Sequence, residues 1–164
     1  MIRVNENLLK GYKGAYKVEG VNVGVPSDNY NRLTIDMPDT LEENQKYTFC
    51  FKFKQFNGSG KFTVRLFNKD NSVAADRVTF NVSDERFYFN FTYRAGITDK
   101  ILIYTDIAGA TRGVSAEIKD IMIVDGYYEK IGDEVVYLPH KENLPEGKQA
   151  LLPPEGNYKE IQAL

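Results

Sequence analysis

The chain reads as all-β: an antiparallel jelly-roll β-sandwich with an extended, Pro-rich C-terminal arm. Three observations predict this. Apolar residues alternate with period two, the aromatic set is 10 Phe and 11 Tyr without Trp, and polar turn clusters separate the alternating runs. Side chains on a strand point to opposite faces in turn, so each such run has one apolar and one mostly polar face. Two-faced strands bury their apolar sides between stacked sheets. Phe and Tyr favour strands, and buried rings supply much of a core's apolar area.

Taken in chain order, "RLTIDM" places Leu33, Ile35 and Met37 on one face. "KYTFCFKFKQF" alternates Tyr47, Phe49, Phe51 and Phe53 with Thr48, Cys50, Lys52 and Lys54. "KFTVRLF" sets Phe62, Val64 and Leu66 against Thr63, Arg65 and Phe67, and "RVTFNV" repeats the pattern with Val78, Phe80 and Val82. "RFYFNFTY" sets Phe87, Phe89, Phe91 and Tyr93 against Tyr88, Asn90 and Thr92. "KILIYTD" is apolar on both faces, as in a strand covered on two sides. In "VSAEIKDIMIVDG", Ala116 and Ile118 share one parity while Ile121 and Ile123 share the other. A bulge near Lys119-Asp120 brings all four to one face; burial of both faces, with Met122 covered too, is the alternative. Turns fall at "VPSDNYN", "MPDTLEENQ", "NGSG", "NKDNS" and "IAGATRG", with Asn57-Gly58 as a hairpin signal. "TLEEN" supplies one helical turn at most.

Residues 1–138 are expected to form the sandwich and 139–164 the arm, because Pro139, Pro145, Pro153 and Pro154 crowd the last stretch. Proline removes a donor and fixes φ, so this stretch is not a further core strand. It is a linker, or an arm docking through Leu144, Leu151, Leu152 and Ile161. Twenty-one basic against 23 acidic residues give a net charge of -2, which supplies no footprint for nucleic acid or an anionic membrane. No window matches a transmembrane helix, and the opening "MIRVNENLLKG" reads as no secretory signal, so folding in a cytoplasm is expected. Cys50 alone forms neither an internal disulfide nor a zinc site, and reads as a semi-buried small residue. Sequons at Asn57, Asn81 and Asn90 read as chance in that setting.

His140, in "YLPHKENL", is the one histidine. A general base needs an orienting partner and a reacting proton within hydrogen-bond reach, and no spacing makes Ser115, Asp120 or Asp125 such a partner. Asp36 with Asp39 and Glu42 with Glu43 lie in a turn-like segment, where acids cap backbone donors, rather than forming a glycosidase pair. The expected protein is not an enzyme. Saccharide binding asks for an aromatic face beside amides or charges. Tyr88 and Asn90, Tyr104 and Asp106, Lys52 and Arg65 supply these on the non-core parity of their strands. If those strands neighbour one another in one sheet, they form a shallow groove on its outer face. The alternative is that the tyrosines cover the sandwich exterior or meet another subunit. Tyr127 and Tyr128 pack the exit segment over the sandwich edge, or make a subunit contact as Leu151 and Leu152 do.

From "NLLKG" to "YLPHKEN", about residues 7–143, the chain resembles the carbohydrate-binding-module-like jelly-roll domains of bacteriophage tail and baseplate proteins. The matching pieces are "NLL", "LEENQKYTFCFKFK", "AEIKDIMIVDG" and "YLPHKEN", with Tyr137, Pro139 and Glu142 closing the module and His140 a passenger. The resemblance implies a virion component made in a bacterial cytoplasm, with host-surface polysaccharide and other tail proteins as partners and a homo-oligomer as its form. It implies adhesion, or alternatively pure tail assembly, or an accessory module of a polysaccharide-degrading enzyme. No catalytic cofactor is implied. Some relatives carry a structural calcium near the last strand, which transfers here only to Asp120.

Overall fold

The computed structural model describes residues 2–12, 14–19, 33–57, 61–70, 72–81, 86–105, 115–128, 134–135, 140 and 158–161. These residues form eleven strands and no helix: β1 (Ile2–Asn5), β2 (Ala15–Glu19), β3 (Leu33–Asp36), β4 (Lys46–Asn57), β5 (Lys61–Phe67), β6 (Ala74–Asn81), β7 (Phe87–Thr92), β8 (Lys100–Thr105), β9 (Ser115–Asp125), β10 (Glu134–Val135) and β11 (Tyr158–Ile161). Two four-stranded sheets run β2-β9-β4-β7 and β3-β8-β5-β6. Every pairing within them is antiparallel. β5 pairs β6, β4 pairs β7, β3 pairs β8 and β2 pairs β9, each pair enclosing the one before. That nesting is a long two-stranded ribbon rolled into two layers, which is the jelly roll the alternation predicted.

The alternation sorts as expected. Phe49, Phe51, Phe89 and Phe91 from one sheet and Ile35, Val64, Leu66, Ile101 and Ile103 from the other share one buried core. Phe51 meets Phe53 edge-on at 5.4 Å and Phe87 at 5.1 Å, in the tilted geometries that ring quadrupoles favour. In β8, Ile101, Leu102 and Ile103 are all buried, so this strand is covered on both faces. Cys50 lies on the opposite face from Phe49 and Phe51 and is fully buried rather than half so, packed with Met122 and Val124.

The parity break in β9 is a bulge. Cys50 pairs Met122 and Lys52 pairs Lys119, so Phe51 alone on β4 faces both Asp120 and Ile121. Asp120 takes the extra position with φ 55, a left-handed conformation that Asp tolerates better than most residues. The shift returns Ile121 and Ile123 to the core beside Ala116 and Ile118. β2 accompanies β9 only as far as Lys119. Beyond the bulge, the free edge of β9 is taken by the segment after β1. Leu8 N donates to Ile123 O (2.8 Å), Asn7 Oδ1 accepts from Ile123 N (3.2 Å) and from Leu9 N (3.0 Å), and Asn7 Nδ2 donates to Ile121 O (3.4 Å). A side-chain amide thus replaces a strand, and Leu8 and Leu9 enter the core behind it.

Two connections differ from the sequence reading or refine it. β4 and β5 lie in different sheets, so they do not form the hairpin that Asn57-Gly58 signals, and Gly58 lies outside the described residues. Turn chemistry suits a crossover as well as a hairpin, and the rolled ribbon decides. The hairpin is β5–β6 through residues 68–73, where Asn68 N donates to Val73 O (3.1 Å) and Asp70 Oδ1 accepts from Ser72 N (3.0 Å). Hydrogen bonds from the Ser72 hydroxyl and then its N–H hold the Asp70 carboxyl below its ordinary pKa. "TLEEN" forms no helix; Asn44 there has φ 64, which ends the turn. Within the residues read as an arm, Tyr158–Ile161 forms a strand antiparallel to β1, and β10 flanks β1 on its other side. The four prolines of that stretch, with Leu151 and Leu152, lie outside the described residues. His140 is buried.

Candidate functional site

On the outer face of the β2-β9-β4-β7 sheet, Tyr88 stands opposite Cys50, and Asn90 opposite Thr48. The chain leaving β9 turns at Gly126, whose φ of 82 suits glycine, and Gly126 N donates to Lys46 O (2.8 Å). It then crosses β4 and β7. Asn90 Nδ2 donates to Tyr128 O (2.8 Å), while Asn90 Oδ1 accepts from Tyr128 N (3.1 Å). Thr48 Oγ1, on a fully buried residue, lies 2.8 Å from Asn90 Oδ1 and 2.7 Å from Gly126 O, and also accepts from Tyr128 N (3.1 Å). The Tyr88 and Tyr128 rings stack nearly parallel with centroids 3.9 Å apart. Tyr127 Oη bonds Thr92 Oγ1 at 2.8 Å, and Lys46 Nζ sits 5.0 Å from the Tyr127 ring centroid. Both exit tyrosines therefore pack back onto their own sheet, and one face of Tyr88 is taken.

Asp120 does not fit the calcium expectation. Its carboxylate lies 3.6 Å from the Arg86 guanidinium, whose side chain is 6% exposed, and Arg86 Nη1 donates to Asp120 O (2.8 Å). The positive charge beside this acid and its carbonyl is thus an arginine. A hard cation needs several oxygens, and no cluster of three candidate ligands exists among the described residues.

The other predicted residues are divided between the sheets. Lys52 belongs to β4, whereas Arg65 and Tyr104 belong to β5 and β8 of the opposite sheet, Arg65 in register with Leu102 and Tyr104 with Thr63. The Arg65 guanidinium carbon lies 4.7 Å from the Phe67 ring centroid. Asp106 lies outside the described residues. The single outer-face groove required β4, β5, β7 and β8 in one sheet, and that condition is not met.

A recess instead opens where the edge strands of the two sheets, β7 and β6, approach each other. It has a volume of about 320 Å³ and is lined by Leu66, Phe91 and Ile97 with Thr92, Arg94 and Tyr127, and by Asn90, Ala75 and Thr98. Its wall from Arg94 to Thr98 is a fixed turn. Arg94 O accepts from Ile97 N (3.1 Å) and Thr98 N (2.9 Å), and Arg94 N donates to Thr98 Oγ1 (2.8 Å). Ala95 N donates to Glu43 Oε2 (2.8 Å) and Gly96 N to Asp99 Oδ1 (2.9 Å). Gly96 has φ +77, where a side chain would be strained. The turn holds Ile97 40% exposed, one of two large apolar side chains so exposed among the described residues. Behind it, burial raises the Tyr93 pKa, and the Asp99 and Glu43 charges raise it further.

The recess gathers two predicted residues, Asn90 and Tyr127, and five that sequence reasoning missed as site residues: Ala75, Thr92, Arg94, Ile97 and Thr98. The signal for them was slight, an isoleucine in the Gly-containing turn "RAGITD" after a strand.

No family model matches the chain, and no curated protein does. Solved structures give three likenesses. One is described as "CBM4 structure and function", at 17% identity and TM-score 0.42, covering 71% of this chain and 74% of that one. A mutant of a carbohydrate binding module family 29 is 17% identical with TM-score 0.40, over 69% and 71%. An N-terminal CBM22 tandem domain from Paenibacillus barcinonensis is 14% identical with TM-score 0.43, over 71% of this chain and 44% of that one. The assignment of the fold rests on this chain's own strand order.

Proposed function

We propose that this chain is a non-catalytic saccharide-binding module that receives a sugar ring in the recess between β6 and β7. The carrying observation is a recess of about 320 Å³ lined by Leu66, Phe91 and Ile97 together with Asn90, Thr92, Arg94 and Tyr127, and walled on one side by a hydrogen-bonded turn. Small-ligand sites run from roughly 300 to 1,000 Å³ and combine an apolar lining with a few fixed polar groups, so this is the lower end, suited to one ring. The apolar face of a pyranose suits the apolar lining, and its hydroxyls suit the Arg94 guanidinium and the lone pairs left on the bonded Thr92 and Tyr127 hydroxyls. The lining carries no carboxylate among the described residues, and hydrolysis by a carboxylate pair has no seat there.

A single shallow ring site implies dissociation constants on the order of 1 mM, or about -4 kcal/mol, so useful attachment requires many copies. The setting we favour is the one the sequence resemblance implies, a tail or baseplate module attaching to host-surface polysaccharide. Mapping amide shifts during titration with host-wall oligosaccharides tests the site. Shifts are expected at residues 90–98 and 127. Shifts confined to β5 and β8 of the opposite sheet sink the recess, and no shift with any saccharide sinks saccharide binding.

A further inference from the structure

We infer that the recess selects an acidic saccharide, one whose ring carries a carboxylate or a phosphate, with Arg94 as the recognising group. This rests on the proposed saccharide site and names its ligand class. Arg94 is the one ionisable cation lining the recess, and among the described residues no acid forms an ion pair with it. Two acids that bond the turn carrying Arg94 serve its backbone instead. Glu43 accepts from Ala95 N, and Asp99 accepts from Gly96 N through one oxygen and from Lys69 N (3.2 Å) through the other.

The backbone that carries Arg94 is held at both its N–H and its C=O, so the guanidinium swings from a fixed point. A second positive charge stands close by, since Lys46 Nζ lies over the ring of Tyr127, itself a lining residue. Among the described residues the recess itself is lined by one guanidinium and no carboxylate, since Glu43 and Asp99 serve the backbone of the turn behind it. A planar guanidinium matches the paired oxygens of a carboxylate or phosphate bidentately, and such charge-assisted bonds are roughly twice as strong as neutral ones. Neutral sugars offer hydroxyls alone and gain nothing equivalent from it.

The test is titration of the full chain with three probes: a galacturonic acid trimer, the matching neutral galactose trimer, and that galactose trimer carrying a 6-phosphate. Wild type, Arg94→Gln, Arg94→Lys and Lys54→Gln are compared. Lys54 lies away from the recess, pairs Glu117 and removes the same unit charge. Wild type is expected to bind at least one acidic probe tenfold or more tighter than the neutral trimer, with the margin shrinking at higher salt. Arg94→Gln brings the ratio near one, Arg94→Lys keeps part of it, and Lys54→Gln keeps all of it. Whichever acidic probe binds more tightly identifies the source of the charge. Equal affinity for acidic and neutral probes in wild type overturns the acidic selection and leaves the saccharide site standing. So does a preference that survives Arg94→Gln. Failure of all three probes to bind overturns both.

Discussion

The outer face of the β2-β9-β4-β7 sheet and the recess at its β7 edge are built from the same strand, yet one is occupied and the other open. On the face, Asn90 spends its carbonyl and an N–H on the Tyr128 backbone, and Tyr88 stacks on the Tyr128 ring. At the edge, Arg94 and Ile97 project from a turn whose own backbone bonds are closed. The lesson is that an outward-facing polar residue is not thereby a free one. Availability depends on what the chain lays across it afterwards, and here the crossing segment comes some 38 residues later in the sequence.

The sharpest way to break the comparison is Thr48→Val, which leaves Asn90, Gly126 O and Tyr128 N short of a buried hydroxyl. Leaving such groups unsatisfied costs on the order of 1–3 kcal/mol, read as a lower urea midpoint. Tyr128→Ala removes a stacked ring and is expected to cost about 0.5–1.5 kcal/mol beyond its area burial, with the Tyr88 face then open. Tighter saccharide binding by that variant would mean the face, and not the edge, is the site. Ile97→Ser, at an exposed position, is expected to move stability by less than about 0.5 kcal/mol while weakening saccharide binding severalfold.

A gentler contrast comes from pH. Burial raises the pKa of Tyr47, although its hydroxyl accepts from Glu42 N (2.9 Å). The unfolded chain then ionises first, so this contribution to stability is intact below the ordinary value of 10.0 and is lost as pH rises past it toward the higher folded value. Tyr47→Phe should flatten the alkaline limb of the stability profile, leaving the parallel contributions of Tyr12 and Tyr93. Smallest of all is calcium. With Arg86 beside Asp120, adding the ion or a chelator is expected to leave the melting temperature unchanged.

Much of the scaffold was legible because its determinants are local. Parity alone placed Phe49, Phe51, Phe89 and Phe91 in the core and exposed the misfit of Ala116 and Ile118 with Ile121 and Ile123, but it left a bulge and burial of both faces open, and β9 has the bulge with Met122 buried too. The site was legible only in fragments. Asn90 and Tyr127 stand out by type, but nothing local says that β6 and β7 border one recess or that Leu66 lines it. The predicted groove failed for the same reason, since alternation assigns a residue to a face without saying which strands share a sheet. Asn57-Gly58 repeats the point: a turn signal marks a reversal, whereas the partner of the next strand is a long-range choice.

The nesting of the ribbon also sets a tempo. β5 and β6 close a loop between Phe67 and Ala74, whereas the first contact of β2 with β9 joins Glu19 to Ser115. By the logarithmic growth of closure entropy with loop length, the outer closure costs about 2 kcal/mol more than the inner one when made from an open chain. Assembly is thus expected to spread from the inner hairpin outward, and the chain waits longest for the strand that carries the bulge and hands on to the exit tyrosines.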